Sequence, residues 1–276
     1  MRTESYRTNN HMNGGGDSKD AAVIQLDHFD TSQDGGLDKE TAIEETLELT
    51  TRLQELQEML FAQGKHRVLV VLQAIDGGGK DSTIESIFGP LNANGVTVTG
   101  FKVPSEQEMA HDYLWRVHPH VPGNGEIAVF NRSHYEEVLV VRVHDFVPKD
   151  RWEKRYQHIC DFERMLIDEG TTVIKFLLLI SKDEQKQRFQ DRLDDPTKRW
   201  KFRLGDLEER KYWDDYQAAF QDMLDKTSDP APWWVIPADR KWFRNRLIAQ
   251  IMVEQLEALD LAYPESEEDL TGVTIT

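Results

Sequence analysis

Residues 73 to 86 read QAIDGGGKDSTIES, so that Gly77, Gly78 and Gly79 run directly into Lys80. A glycine turn of this kind exposes backbone N–H groups that converge on a phosphate, and the helix that follows adds its positive end. Lys80 supplies a mobile point charge for the oxygens of a phosphoryl group in transfer. Two positions depart from the common G-x-x-x-x-G-K-[ST] pattern: Ala74 replaces the first glycine, and Asp81 replaces the magnesium-binding hydroxyl, with Ser82 one position later. Carboxylates beside a phosphate site repel the ligand unless a divalent ion lies between them. Asp76 and Asp81 are therefore candidate ligands of a hard cation, Mg2+ or Mn2+. The competing reading of Asp81 is a helix-terminal charge worth about 0.3–1 kcal/mol.

A second group lies in EIAVFNRSHYEEV (126–138). Many phosphate-loop enzymes close such a strand with an acid that helps to hold magnesium, but here the position is Asn131, which places more of the metal on the loop carboxylates. Arg132 follows at the strand's carboxyl edge, where it can bridge phosphate oxygens bidentately. A surface ion pair with Glu136 or Glu137 is the alternative.

These groups need elements to hold them. RVLVVLQAI (67–75) is a near-continuous apolar run of strand length, which suits a strand buried on both faces of a parallel sheet. Further strands are predicted at 96–101, 126–130, 171–180 and 233–237. Helices are predicted at 39–63, 80–91, 106–118, from 134, and at 148–169, 183–193 and 241–261. Strands regularly separated by helices give a parallel five-stranded α/β sheet covered on both sides. Residues 1–35 are polar and read as a mobile lead-in. The segment 191–216 breaks the alternation with Arg192, Lys198, Arg199, Lys201 and Arg203, and Asp206 is placed as a helix cap.

The formal charge of −17 argues against nucleic acid as a partner, since phosphate backbones are held by clustered lysine and arginine. It leaves room for a polyanion held by the local basic segment. No apolar run is long enough to cross a membrane. The single Cys160 and the absence of an apolar leader lead to the expectation of a cytoplasmic protein. His111, His118, His120, His134 and His144 lack metalloprotease spacing, and a phosphohistidine intermediate is not expected.

Taken in order, the loop around DGGGKD, FNRSHYEEVLVVRV, DRLDDPTKRWKF and APWWVIPADRKWFRNR resemble the polyphosphate kinase 2 family over roughly residues 37–264. HVPGNGEIAVFNRSHYEEV is most similar to the branch that accepts AMP as well as ADP. The resemblance implies a three-layer α/β/α phosphate-loop kinase fold over 36–276 with a mobile helical lid at about 191–213. It also implies a homo-oligomer that moves the terminal phosphate of inorganic polyphosphate, reversibly and with magnesium, among AMP, ADP and ATP. Carried over by position, Asp76, Lys80, Asp81, Arg132 and Arg192 are the catalytic candidates. Gly77, Gly78, Gly79, Lys80, Ser82, Arg188, Lys198, Arg199 and Lys201 are candidates for holding phosphate, with Arg203, Arg244 and Arg246 as outer members of a donor track. Lys102, Asn131, Arg132, Glu136 and Glu137 fall to the nucleotide side. An ATP-dependent nucleoside monophosphate kinase and a non-catalytic polyphosphate-binding protein remain open as alternatives.

Overall fold

The computed structural model describes residues 2–8, 24–266, 268, 269, 271 and 273–275. The first long helix, α1 (Lys39–Gln63), starts where the Asp38 carboxylate accepts from the Thr41 N–H, and it ends at Gly64 in the left-handed region. β1 (Arg67–Ala74) follows, with Val68 to Leu72 entirely buried. α2 (Lys80–Thr83) is a single turn that widens into a π turn over Ile84–Phe88, and Pro90, which has no N–H, ends it short of the predicted Leu91. β2 (Val96–Gly100), α3 (Glu106–Met109) and β3 (Ile127–Asn131) come next; α3 is one capped turn where a longer helix was predicted.

Beyond β3 the chain forms a 3-10 turn (His134–Val138), α4 (Val140–Val143), α5 (Lys149–Trp152) and α6 (Arg155–Asp168). The predicted 148–169 helix is thus two helices, and neither glycine nor proline marks the break, so periodicity reads through it. β4 (Thr171–Leu179) and α7 (Lys182–Asp194) lead into the basic segment. There, α8 (Leu204–Glu209) precedes α9 (Trp213–Thr227), and β5 (Trp233–Pro237) and α10 (Lys241–Glu257) close the fold. Asp206 lies three residues inside α8, where its carboxylate accepts from the Arg203 N–H at 3.2 Å; it is not the cap residue itself.

All strand pairings are parallel, in the order β2-β3-β1-β4-β5. From β1 the chain crosses to one side of the sheet, and from β3 it crosses back over β1 to the other. The carboxyl ends of β1 and β3 therefore border the point where the winding reverses, which is where open α/β sheets bind ligands. The glycine loop leaves one of these ends and Asn131–Arg132 leave the other.

Much of the predicted mobile lead-in, residues 9–23, lies outside the described residues. The described parts on either side of it are packed. Thr8 and Trp233 exchange hydrogen bonds of 2.8 Å at the edge of β5, Tyr6 is buried beside Phe243, and the Leu26 N–H donates to Gln221 at 2.9 Å. No helix among the described residues is long and apolar enough to cross a membrane.

Candidate active site

The loop after β1 has its carbonyls held from outside. Lys80 Nζ donates to Ala74 O at 2.7 Å, Gln185 to Asp76 O at 2.7 Å, and Arg188 to Gly77 O at 2.9 Å; Arg244 reaches Gly79 O at 3.3 Å. Carbonyls anchored in this way, with the Gly78 N–H closing a turn onto Ile75 O at 2.9 Å, fix the shape of the loop, and a glycine loop of this kind is one that receives an anion. Gly77 and Gly79 adopt φ of 81° and 104°, which only glycine takes without strain. A Cβ on Gly78 would lie 2.5 Å from the Ala74 Cβ, so alanine at the first motif position requires glycine at 78.

Six of the residues singled out in the sequence meet here: Asp76, Lys80, Asp81, Asn131, Arg132 and Glu136. Asn131 Nδ2 donates to Asp81 Oδ1 at 2.7 Å, and Arg132 donates to Asp76 Oδ1 at 2.6 Å while lying 3.9 Å from Glu136. Arg132 thus joins the loop carboxylate to the acid one turn further on, and its ion pair is part of the crevice. Its φ of 62° puts it in the left-handed region, at a cost of about 1–2 kcal/mol for an L-residue. Strain of this kind persists where neighbouring structure over-determines it. Gln73 lies beneath, its amide donating to Glu136 Oε1 at 2.9 Å and accepting from Ser133. Burial pushes the Glu136 carboxyl above the ordinary carboxylate range, against the opposing charges of Arg132 and Lys80. Burial, and then the Arg132 charge, hold the Lys80 ammonium below the usual lysine range.

Among the described residues no three acidic, histidine or cysteine side chains are grouped so as to hold a metal. Two carboxylates, each with one oxygen engaged by a neutral amide or a guanidinium, suit magnesium, which binds through one or two carboxylates together with substrate phosphates and water.

The remaining candidates are arranged around this centre. Arg188 is buried, and its partners are Gly77 O, Ala238 O (2.5 Å) and Glu184 (2.6 Å), so it braces the loop from behind. Ser82 Oγ is turned to Gly79 O at 3.0 Å. Arg192 stacks over the Phe189 ring at the start of the basic segment. Further along that segment, Lys198 pairs with Asp195 at 2.7 Å, Arg199 donates to Leu193 O at 2.7 Å, and Lys201 lies 5.1 Å over the exposed Trp200 ring. Glu137 faces away from the loop and pairs with Arg155. Lys102 is exposed, and its carbonyl accepts from Arg116 at 2.9 Å. Arg246 is held by Glu45 at 2.7 Å.

Sequence reasoning missed Gln185 as a loop brace and treated Arg244 as an outer cation. Arg244 is instead fully buried behind Gly79, with its guanidinium on Asn245 Oδ1 (2.7 Å) and no carboxylate within ion-pair distance among the described residues. Burial and the nearby Arg188 charge pull Arg244 down to about 9. Lys241, one turn earlier, is lowered by burial and by the same two arginines.

Comparison with known proteins agrees with this geometry. The family model of polyphosphate kinase 2 matches residues 36–264. The AMP/ADP-polyphosphate phosphotransferase of Meiothermus ruber is 58% identical over 245 residues, covering 88% of this chain and 91% of that protein. The ADP-polyphosphate phosphotransferase of Rhodopseudomonas palustris is 45% identical over 78% of this chain and 79% of its own length. The crystal structure of polyphosphate kinase 2 from Arthrobacter aurescens superposes with a TM-score of 0.90 at 39% identity, covering 98% of this chain and 93% of that one. With the loop, the second motif and the sheet order all in agreement, the chain belongs to the polyphosphate kinase 2 family.

Proposed function

We propose that this protein transfers the terminal phosphoryl group of inorganic polyphosphate to AMP or ADP, and reversibly back. A phosphate oxygen of the acceptor attacks the terminal phosphorus, the anhydride bond to the next phosphate breaks, and polyphosphate leaves one unit shorter. The observation that carries this reading is a phosphate loop at the sheet's switch point, backed by the buried Arg244, which has no carboxylate within ion-pair distance among the described residues. The names of the two relatives described above point to the same donor and acceptors.

Phosphoryl transfer asks little covalent help of the protein; it needs positioning and neutralisation of oxygens. The loop N–H groups grip the donor phosphate. Lys80, released from Ala74 O, moves to the oxygens of the transferring group, and Arg132 swings from Asp76 to bridge donor and acceptor phosphates. Asp76 and Asp81 would hold Mg2+, which neutralises anhydride oxygens when bound. The 191–213 segment serves as a lid that brings Arg192 over the site and excludes water, with Lys198, Arg199 and Lys201 following the donor chain. The catalytic domain spans 36–276 in a cytoplasmic homo-oligomer.

A donor–acceptor matrix tests the proposal. Polyphosphate or ATP is supplied with AMP or ADP and magnesium, and products are resolved by chromatography. Polyphosphate should convert AMP to ADP and then to ATP. Phosphorylation of AMP from ATP alone, with polyphosphate inert, would overturn the reading in favour of an ordinary nucleotide kinase.

A further inference from the structure

Behind the second motif lies a group of charged side chains that the transfer reaction does not use. Lys175 stands in the middle of β4, and it is wholly buried, as are Glu163 of α6 and Tyr135. Lys175 Nζ donates to Glu163 Oε2 at 2.6 Å, to Thr227 O at 2.6 Å and to the Tyr135 hydroxyl at 2.8 Å. That hydroxyl in turn donates to Glu163 Oε1 at 2.8 Å. His134 Nε2 lies 3.3 Å from the same carboxylate oxygen, while its Nδ1 is buried without a partner. Within the cluster the Lys175 ammonium faces the Glu163 carboxylate directly. Burial works to raise Glu163, and the Lys175 charge and hydrogen bonds overcome it to hold this group ionised.

Replacing a buried ion pair by apolar groups of matching shape is often neutral or stabilising, so stability alone does not account for these charges. Their position does offer a reason. His134 and Tyr135 open the turn that immediately follows the strained Arg132 and carries Glu136, and Ser133 between them is tied to Gln73 and to the Tyr135 N–H. Arg155 holds Glu137 and Gln73 holds Glu136 from the outer side of the turn, while Lys175 of β4 and Glu163 of α6 fix Tyr135 from the inner side, with Lys175 itself anchored on Thr227 O at the carboxyl end of α9.

We propose that Lys175, Glu163 and Tyr135, assisted by His134, are positioning residues that hold the 133–138 turn so that Arg132 keeps its left-handed backbone and its place between Asp76 and Glu136. The proposal rests on the reading of Arg132 as a phosphate-binding residue, and its test separates the two.

The test is a cycle between Arg132→Lys and the shape-conserving triple variant Tyr135→Phe/Glu163→Leu/Lys175→Met, read as kcat/KM for formation of ATP from ADP and polyphosphate and as the thermal midpoint. The triple variant should fold with a midpoint near or above that of the wild type and lose about tenfold or more in kcat/KM. In the Arg132→Lys background the same triple change should cost little, because the residue it positions is already impaired. An equal loss in both backgrounds, or a folded triple variant with wild-type kcat/KM, overturns the positioning role alone. Wild-type kcat/KM in Arg132→Lys and also in Arg132→Ala overturns the reading of Arg132, and this proposal with it. If the triple variant fails to fold, Tyr135→Phe, which leaves the Lys175–Glu163 pair intact, enters the same cycle under the same criteria.

Discussion

The molecule buries cations in two places and treats them differently. Under the second motif, Lys175 meets a carboxylate, a hydroxyl and a carbonyl, so its charge has a counter-ion at hydrogen-bond distance. Behind the phosphate loop, Arg244 meets Asn245 and a glycine carbonyl and no carboxylate among the described residues, with Arg188 and Lys241 adding like charge nearby. In the first place the protein has satisfied its own charges, and the outcome is shape. In the second it has left positive charge over, and that excess projects through the loop backbone into the crevice where a polyanion would lie. The contrast also explains how a chain of net charge −17 can hold a phosphate polymer: the field is local.

The largest effect expected on the loop side is on transfer. Lys80→Ala should lower kcat by about 10³-fold, as loss of a charge from the developing transition state does, without lowering the thermal midpoint. Retention of activity within about tenfold would remove Lys80 from the centre of the account.

Stability distinguishes the two regions by sign. Lys175→Met alone leaves Glu163 buried without its partner and should cost about 3–5 kcal/mol in chemical denaturation. Arg244→Met removes a buried charge that has no counter-ion among the described residues and should stabilise by about 1 kcal/mol or more at neutral pH. Because Arg244 holds its proton less tightly in the folded protein than in the unfolded chain, the wild type gains stability as pH climbs through about 9. The advantage of the methionine variant should therefore narrow there. Equal destabilisation by both substitutions would erase the distinction.

Glu136 gives a smaller effect and sharpens the boundary between the regions. Its carboxyl is raised by burial, so folding favours the protonated form, and the wild type loses stability as pH rises through the folded pKa. Glu136→Gln should accordingly melt a degree or more higher than the wild type at neutral pH, with the gain fading as pH falls below the ordinary carboxylate value. The same substitution should flatten the acid limb of the wild-type activity profile, since ionised Glu136 helps to tether Arg132. A pH-independent difference in midpoint would place the group elsewhere.

How much of this was legible in the sequence depended on whether a feature is local. Four of the five strands are legible as apolar runs bounded by turns and β2 as the β-branched stretch VTVTG, and the order of the motifs placed the loop and Asn131–Arg132 at adjacent strand ends. Helix breaks such as that between Trp152 and Arg155 carry no punctuation and were read through. The loop braces Gln185 and Arg244 act on carbonyls more than a hundred residues away, and no spacing rule links them to the loop. Lys175 was visible all along as a lone lysine inside TTVIKFLLLI, but its partners come from three other elements. In a single sequence the exception can be seen, and what satisfies it cannot.

Thermal midpoints measured with and without long-chain polyphosphate test the central claim, that the charge left unneutralised behind the loop receives the donor. A ligand bound only by the folded state raises the midpoint according to its affinity. The account predicts a clear rise for the wild type and for the Tyr135→Phe/Glu163→Leu/Lys175→Met variant, and a much smaller one for Arg244→Met. An equal rise in all three would contradict it.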